Sequence, residues 1–414
     1  MTRRLAAVTL LALASLQGCK TGYNRTYNYA TDTNPPDCAT ANGHLSADGL
    51  KVFNLLKDFT CAGRKADGYL VGQNLGYGNE INNPESLTNN DVDNHSYQRL
   101  IEGFDDITSH TPAVVSIDYE YKRLYSEATL EKANGKLKQH WDAGGLVSIS
   151  WMPLNPWEND FSDISGNPGT SMDVFAPEAG NIDLADLWDD TTDVYEVWHK
   201  KLDAMAVALN ELKDDGVVVL WRPLPEMNTD TYWWGTGASD PVDNSNGGDL
   251  YKTLWKNMFD YFKDKGVDNL LWVYSPAPSS DEYSINWAYP GEKFVDVVAG
   301  IARNNELNIK DYQDMVDLGR PVAMAEYSPN PASDSVKSLL SAESDRGTFD
   351  NATYADRLNG SYPAVAYWVS WHSSALDDET RSNLALVDNL NSKTLADRAY
   401  VISLERMNED KLRE

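Results

Sequence analysis

The chain has 414 residues, of which 63 are acidic and 35 are Lys or Arg, and its net charge at pH 7 is −28. This charge, together with the lack of a Lys/Arg cluster, excludes a protein that binds nucleic acid through its phosphates. The aromatic residues are 13 Trp and 22 Tyr against 9 Phe, a bias towards rings that carry a polar group and can stack on sugar faces.

The first 18 residues predict an export signal. Arg3 and Arg4 precede an apolar stretch, and small residues precede Cys19. Residues 16–19, LQGC, resemble the cleavage site of bacterial lipoproteins, where the peptide is removed and the cysteine is acylated; an ordinary signal peptide is the alternative. We expect an exported protein with a lipid anchor at Cys19, in the outer membrane or on the surface of a Gram-negative bacterium, and no transmembrane helix.

The two other cysteines, Cys38 and Cys61, can pair in an oxidising compartment. Such a disulfide would join the N-terminal segment to the folded domain, and two free thiols are the alternative. Residues 19–45 are rich in Tyr, Asn, Thr and Pro with little apolar periodicity, which predicts a tether. One catalytic domain is predicted over residues 46–414, and the protein is expected to be a monomer.

Short apolar runs then alternate with longer amphipathic stretches, a pattern typical of βα units. The predicted strands are residues 69–73, 113–118, 146–151, 217–222, 269–275, 294–301, 321–326 and 364–371. Eight such units favour an α/β protein with a single (β/α)8 barrel and long loops after the third and fourth strands. A doubly wound sheet is the alternative, but the first strand is not followed by a glycine-rich phosphate turn that opens a helix.

Two of these strands lead into a glutamate. Residues 217–228 (VVVLWRPLPEMN) contain Glu226, and residues 320–329 (RPVAMAEYSP) contain Glu326. A carboxylate beside a buried strand is costly unless the site uses it, and the C-terminal ends of barrel strands surround one site. Two carboxyl groups about 5–5.5 Å apart hydrolyse glycosidic bonds with retention. The pattern predicts a glycoside hydrolase, with Arg222 placed to keep one carboxylate ionised.

Seven segments in chain order resemble glycoside hydrolase family 26, over residues 68–375. They include residues 144–151 (GGLVSISW), 221–235 (WRPLPEMNTDTYWWG) and 321–327 (PVAMAEY). The resemblance implies a retaining barrel enzyme in which Glu226 is the acid/base and Glu326 is the nucleophile. It also implies that Trp233 and Trp234 line the sugar subsites. The family contains mainly β-mannanases, with some β-1,3-xylanases and β-1,3-1,4-glucanases.

The chain departs from the family pattern around the innermost sugar subsite. Pro225 and Met152 stand where the pattern has histidines, and residues 300–304 (GIARN) lack its Asp and Tyr. The family tyrosine donates a hydrogen bond to the nucleophile, so its loss would raise the nucleophile's pKa unless another donor replaces it. The candidate donors are Arg303, Asn304 and His372.

These departures concern the sugar that is recognised rather than the reaction. The expected function is retaining endo-hydrolysis of a β-glycan polysaccharide, with β-mannan as the first substrate. An endo-β-1,3-xylanase of the same family is one alternative. A surface lipoprotein that binds glycans without cleaving them is the other.

Five further residues are predicted to contact the substrate: Trp151, Trp371, Asp118, Arg222 and His372. Core packing is the alternative for the two tryptophans, a helix cap for Asp118 and a surface position for His372. No cofactor is expected. The six histidines do not form an i, i+4 pair and no calcium-loop motif is present, so no metal site is expected either.

Overall fold

A computed structural model describes residues 39–60, 68–77, 97–120, 127–157, 182–236, 247–329, 336–338, 347, 349–375 and 380–413. Three predictions lie outside these residues: the signal peptide, the lipid attachment at Cys19 and the pairing of Cys38 with Cys61. Within the described ranges, we find no helix with the length and apolar character needed to span a bilayer.

Eight parallel strands form a closed barrel. They are β1 (Tyr69–Tyr77), β2 (Val114–Asp118), β3 (Leu146–Trp151), β4 (Val219–Pro223), β5 (Leu270–Tyr274), β6 (Val297–Arg303), β7 (Val322–Ser328) and β8 (Val365–Ser370). Each strand pairs with the next, and β8 pairs back with β1 in the register Leu70 to Tyr367. The (β/α)8 barrel is therefore confirmed, and each predicted strand overlaps an observed one.

Helices cover the outside of the barrel. The α-helices are α1 (Ala47–Thr60), α2 (Gly103–Thr108), α3 (Glu127–Asp142), α4 (Asp193–Asp214), α5 (Gly247–Asp264), α6 (Tyr312–Asp317), α7 (Asn351–Ser361), α8 (Ser392–Ala396) and α9 (Leu404–Glu409). A π-helical turn, Gln98–Glu102, precedes α2, and 3-10 turns lie at Leu184–Trp188 and Leu386–Asp388. Because helices cover them, the parallel strands are buried on both faces and consist of apolar runs.

Local signals explain where the long helices begin and end. The Thr192 side chain accepts a hydrogen bond from the backbone N–H of Tyr195 and caps the start of α4. Gly216 and Gly266 follow α4 and α5 with φ of +77° and +72°, a left-handed conformation that glycine adopts without steric cost. Both glycines therefore end their helices.

Smaller strands complete the fold. Val401–Ile402 pairs with the start of β1 in parallel. Val336–Ser338, Ser374–Ala375 and Thr380–Ser382 form an antiparallel sheet of three strands after β7 and β8.

The segment before α1 contacts the barrel at the end opposite to the predicted site. The backbone N–H of Ala41 donates to Asp296 Oδ1 at 2.6 Å, and Arg320 Nη2 donates to the Ala39 carbonyl at 2.7 Å. Burial raises the pKa of Asp296 to about 6, although Arg320 opposes the shift. Residues 39–45 were assigned to the tether, but these contacts make them part of the folded domain.

Candidate active site

The two glutamates predicted from the sequence converge on one arginine. Glu226 follows β4, Glu326 lies in β7, and Arg303 is the last residue of β6. Arg303 Nη2 lies 2.7 Å from Glu226 Oε1 and 2.6 Å from Glu326 Oε1, which limits the separation of these two oxygens to the sum of the distances, about 5.3 Å. This limit fits the separation of about 5–5.5 Å in retaining glycosidases and lies below the roughly 6.5–9.5 Å of inverting ones.

Glu226 sits in a strained turn that its neighbours hold in place. Glu226 and Leu224 have φ of +59° and +49°, a region that costs about 1–2 kcal/mol for residues other than glycine. Trp234 Nε1 donates to the Pro225 carbonyl at 2.8 Å, and the Tyr251 hydroxyl donates to the Leu224 carbonyl at 2.9 Å. Strain of this kind persists where surrounding contacts over-determine the backbone, and it clusters at functional sites.

Arg303 is the donor that replaces the family tyrosine. Its Nε lies 3.0 Å from Glu326 Oε1, and its Nη1 lies 3.0 Å from Glu226 Oε2. The two other candidates have different partners: Asn304 Nδ2 donates to the Asn308 carbonyl at 3.1 Å, and His372 contacts Asn74.

A second guanidinium keeps Glu326 ionised. Arg222 Nη1, on β4, lies 3.4 Å from Glu326 Oε2, and both side chains are buried. Burial raises the pKa of Glu326, but Arg303 and Arg222 outweigh it, and the pKa falls below its usual value. Such a carboxylate is charged at neutral pH and is able to act as a nucleophile.

Asp118 and His372 form a buried layer around these charges rather than a surface for substrate. Asp118 Oδ1 lies 3.9 Å from Arg222 Nη2, and Asn74 Nδ2 donates to Asp118 Oδ2 at 3.3 Å. His372 Nδ1 lies 2.7 Å from Asn74 Oδ1. Burial raises the pKa of Asp118 to about 7 and lowers that of His372 to about 4. Instead of the predicted substrate contacts, Asp118 lies beside Arg222 and His372 contacts Asn74.

We expect the Asp118→Asn variant to remove a pH dependence from the stability of the protein. Folding raises the pKa of Asp118 from 3.8 to about 7, so the folded state binds more protons than the unfolded state within this window. The wild type therefore loses free energy of unfolding as the pH rises through it, by up to about 4 kcal/mol. Urea unfolding of the wild type and of Asp118→Asn at pH 4, 5.5 and 7 measures this dependence. An equal change of the free energy of unfolding with pH in the two proteins would contradict the expectation.

The tandem tryptophans predicted to line sugar subsites are core residues. The side chains of Trp233 and Trp234 have no exposed surface. Trp233 Nε1 donates to the Pro153 carbonyl at 2.7 Å, and the Trp234 ring stacks on Tyr232 with centroids 4.6 Å apart. The Trp234 ring packs beneath the turn that carries Glu226, and the Trp233 ring packs against the loop after β3 and the Trp198 ring of α4.

The Trp234→Phe variant is expected to show that this packing positions Glu226. It leaves the buried Pro225 carbonyl without its donor, at a cost of about 1–3 kcal/mol in stability. It should also lower kcat by about 10- to 100-fold, since small displacements of a reacting group are costly. Trp255→Phe is the matched control, because Trp255 is equally buried and donates to the Phe294 carbonyl at 2.9 Å. Equal losses of kcat in both variants would refute the positioning role.

The two other predicted tryptophans differ in exposure. Trp151 is fully buried, stacks on Trp198 at 5.3 Å and donates to Glu120 Oε2 at 3.0 Å. Trp151 therefore belongs to the core rather than to a sugar subsite. Trp371, directly after β8, is partly exposed, and its prediction as a substrate contact stands.

Sequence reasoning missed Asn74 and Tyr251. Asn74 links Asp118 to His372, and a signal existed, because an Asn beside a Gln inside an apolar strand requires buried partners. Tyr251 supports the Glu226 turn from α5, a contact that no local pattern indicates.

In the part of the chain that the structure describes, no group of three or more His, Cys, Asp or Glu side chains could hold a metal ion.

This fold and site define a class of protein. A (β/α)8 barrel with two carboxyl groups in close reach, one after β4 and one in β7, has the arrangement of retaining glycoside hydrolases. The family model "Glycosyl hydrolase family 26" matches residues 80–370. The chain belongs to glycosyl hydrolase family 26.

Characterised relatives agree with this assignment. The chain is 31% identical over 274 residues to a mannan endo-1,4-beta-mannosidase of Bacillus subtilis, covering 64% of this chain and 67% of the relative. It is 30% identical over 273 residues to mannan endo-1,4-beta-mannosidase A and B of Caldalkalibacillus mannanilyticus, covering 64% of this chain. The match spans about half of that relative's length, 48%.

Solved structures confirm the fold. The structure of a Bacillus subtilis mannanase superposes with a TM-score of 0.68 at 24% identity, covering 88% of this chain and 95% of that one. A beta-mannanase from a symbiotic protist of the termite Reticulitermes speratus, complexed with gluco-manno-oligosaccharide, gives a TM-score of 0.60 at 21% identity, covering 89% and 97% of the two chains.

Proposed function

We propose that this protein is a retaining endo-β-glycanase that hydrolyses β-mannan, with Glu326 as nucleophile and Glu226 as acid/base. The observation that carries the proposal is the contact of both carboxylates with one guanidinium nitrogen at the C-terminal face of the barrel. Mannan is placed before β-1,3-xylan because the two relatives described above are named mannan endo-1,4-beta-mannosidases.

The first half of the reaction forms a glycosyl-enzyme. Glu226 gives its proton to the glycosidic oxygen as the bond between that oxygen and the anomeric carbon breaks. Glu326 attacks the anomeric carbon and becomes an ester. Arg222 remains beside Glu326 and keeps the attacking carboxylate ionised until the bond forms.

The second half returns the enzyme to its starting state. Glu226, now a carboxylate, takes a proton from a water molecule, and the water oxygen attacks the anomeric carbon. The ester bond breaks and its electrons return to Glu326. Two displacements at one carbon leave its configuration unchanged, so the product keeps the β-anomer.

The test is reducing-sugar release by the purified protein from β-mannan, β-1,3-xylan, β-1,4-xylan and mixed-linkage β-glucan. We expect release from β-mannan as oligosaccharides of mixed length, because an endo-acting enzyme cleaves within the chain. Release from β-1,3-xylan alone would assign the xylanase function instead. Binding to a glycan without release from any would assign the glycan-binding lipoprotein.

We also infer export with a lipid anchor at Cys19, which the LQGC sequence supports. Expression in a bacterium fed labelled palmitate should label the wild type but not Cys19→Ala. Label in both proteins would place the acylation elsewhere, and label in neither would favour an ordinary signal peptide.

The contacts of neighbouring residues support the disulfide between Cys38 and Cys61. The carbonyl of Ala39 accepts from Arg320, and the Thr60 hydroxyl accepts from the backbone N–H of Val322. The residues next to the two cysteines thus contact positions two apart at the start of β7. Thiol titration of the unfolded, unreduced protein should find neither thiol free, and two free thiols would refute the pairing.

A further inference from the structure

Arg303 occupies the space where the reacting sugar must lie. Its guanidinium donates four hydrogen bonds of 2.6–3.0 Å, two to Glu226 and two to Glu326. The anomeric carbon and the glycosidic oxygen must come between these same carboxylates for both to react. The guanidinium therefore has to withdraw when a substrate binds.

The withdrawal is confined to the side chain. The backbone of Arg303 is part of the sheet, where it pairs with Ser328 of β7, and the next carbonyl, of Asn304, accepts a hydrogen bond of 3.0 Å from the Tyr327 hydroxyl. The side chain is 44% exposed, so its guanidinium can turn towards the open side of the barrel without unfolding the strand. The withdrawn guanidinium stays within a side chain's length of the bound sugar.

The withdrawn cation has lost both of its partners. Glu226 must be protonated to act as an acid, and Glu326 becomes a neutral ester in the glycosyl-enzyme. The acidic side chains that raise the pKa of Arg303 in the free enzyme are these two glutamates. The guanidinium beside the bound sugar then lacks these two acidic partners, and a carboxylate carried by the substrate would supply one.

We propose that Arg303 determines specificity for a β-glycan whose sugar in or beside the cleavage site carries a carboxylate, that is, a β-glycan containing hexuronic acid. The planar fork of a guanidinium matches a carboxylate bidentately, and Arg303 already binds Glu226 in this way. In the complex, a C6 carboxylate of the substrate takes the place of the Glu226 carboxylate. The inference rests on the proposed function, because it assumes that the two glutamates cleave the glycan.

A matched pair of substrates tests the inference. One is soluble β-1,4-mannan, and the other is the same mannan with part of its C6 hydroxyls oxidised to carboxylates. The readout is the ratio of kcat/KM on oxidised mannan to kcat/KM on the parent, measured for each protein at its own pH optimum. Changes in the ionisation of Glu226 or Glu326 affect both substrates alike, so the ratio isolates recognition of the carboxylate.

Three variants complete the design. Arg303→Met removes the positive charge, and Arg303→Lys keeps it. Arg398→Met is the control, because it removes the charge of another partly exposed arginine. Arg398 is 39% exposed and pairs with Asp356 at 3.0 Å. We expect a ratio of about tenfold or more in the wild type, a ratio above one in Arg303→Lys and an unchanged ratio in Arg398→Met. In Arg303→Met the ratio should fall to one or below.

A wild-type ratio of one or less, with rapid cleavage of parent mannan, overturns the inference and leaves the proposed function intact. A preference for oxidised mannan that survives in Arg303→Met also overturns it. If the wild type cleaves neither substrate, the proposed function fails. Equilibrium binding then decides the inference: the ratio of the affinity for oxidised mannan to the affinity for parent mannan is compared between the wild type and Arg303→Met.

Discussion

Replacing Glu326 with glutamine is expected to lower kcat/KM on the polysaccharide by at least about 10⁴-fold. An amide cannot attack the anomeric carbon. Glutamine has nearly the same shape as glutamate, and its single amide oxygen can still accept the hydrogen bonds that Arg303 donates to Glu326 Oε1. The loss should therefore occur in a folded protein, which circular dichroism and thermal unfolding can establish.

Glu306→Gln serves as the control for Glu326→Gln. Glu306 is an exposed glutamate three residues after Arg303, so the variant loses a charge near the site and should keep wild-type activity. A fluorinated glycoside that stabilises the glycosyl-enzyme should label the wild type at Glu326 and leave Glu326→Gln unlabelled, as read by peptide mass spectrometry. Retention of a tenth of the activity by Glu326→Gln, or labelling of another residue, would remove Glu326 from the nucleophile role.

Replacing Glu226 with alanine should separate the two halves of the reaction. On polysaccharide, the loss of the acid should lower kcat by about 10²–10⁴-fold. A dinitrophenyl glycoside needs no protonation of its leaving group, so its first step should proceed at nearly the wild-type rate. Without a base the glycosyl-enzyme should then persist, and the phenolate should appear as a burst that equals the enzyme concentration.

Azide provides the second readout for Glu226→Ala. As an anion that needs no deprotonation, azide should attack the stalled glycosyl-enzyme and restore turnover with formation of a β-glycosyl azide. An α-glycosyl azide would contradict the double displacement. Equal loss of rate on both kinds of substrate would show that Glu226 is not the acid. Glu306→Ala is the matched control. Its rates on the polysaccharide and on the dinitrophenyl glycoside, with and without azide, should equal those of the wild type.

Local sequence patterns predicted the barrel and its two glutamates. The apolar runs in β3, β4 and β7 are short and bounded by polar segments, because strands covered on both faces have apolar side chains on both faces. Once eight parallel strands are placed in order, the C-terminal ends surround one site. Glu226 and Glu326 follow from strand position alone, since Glu226 follows β4 and Glu326 lies in the C-terminal half of β7.

The roles of the aromatic side chains could not be predicted in this way. The aromatic composition and the family resemblance favoured Trp233 and Trp234 as rings on a substrate groove. Their burial depends on contacts with Pro153 and Pro225, which lie 80 and nine positions away along the chain. A tryptophan can be fully buried where its N–H donates to a backbone carbonyl.

Arg303 is the clearest case of a site residue whose role depends on tertiary packing rather than on a local sequence pattern. The residue was one of three candidate donors for the nucleophile, with no local reason to prefer it over Asn304 or His372. Its reach to Glu226 and Glu326 follows from the position of β6 beside β7, where the pairing register shifts between Gly300 and Ile301 and brings Ile301 opposite Glu326. Periodicity along a strand specifies which side chains point inward, whereas the register between strands specifies which of them meet.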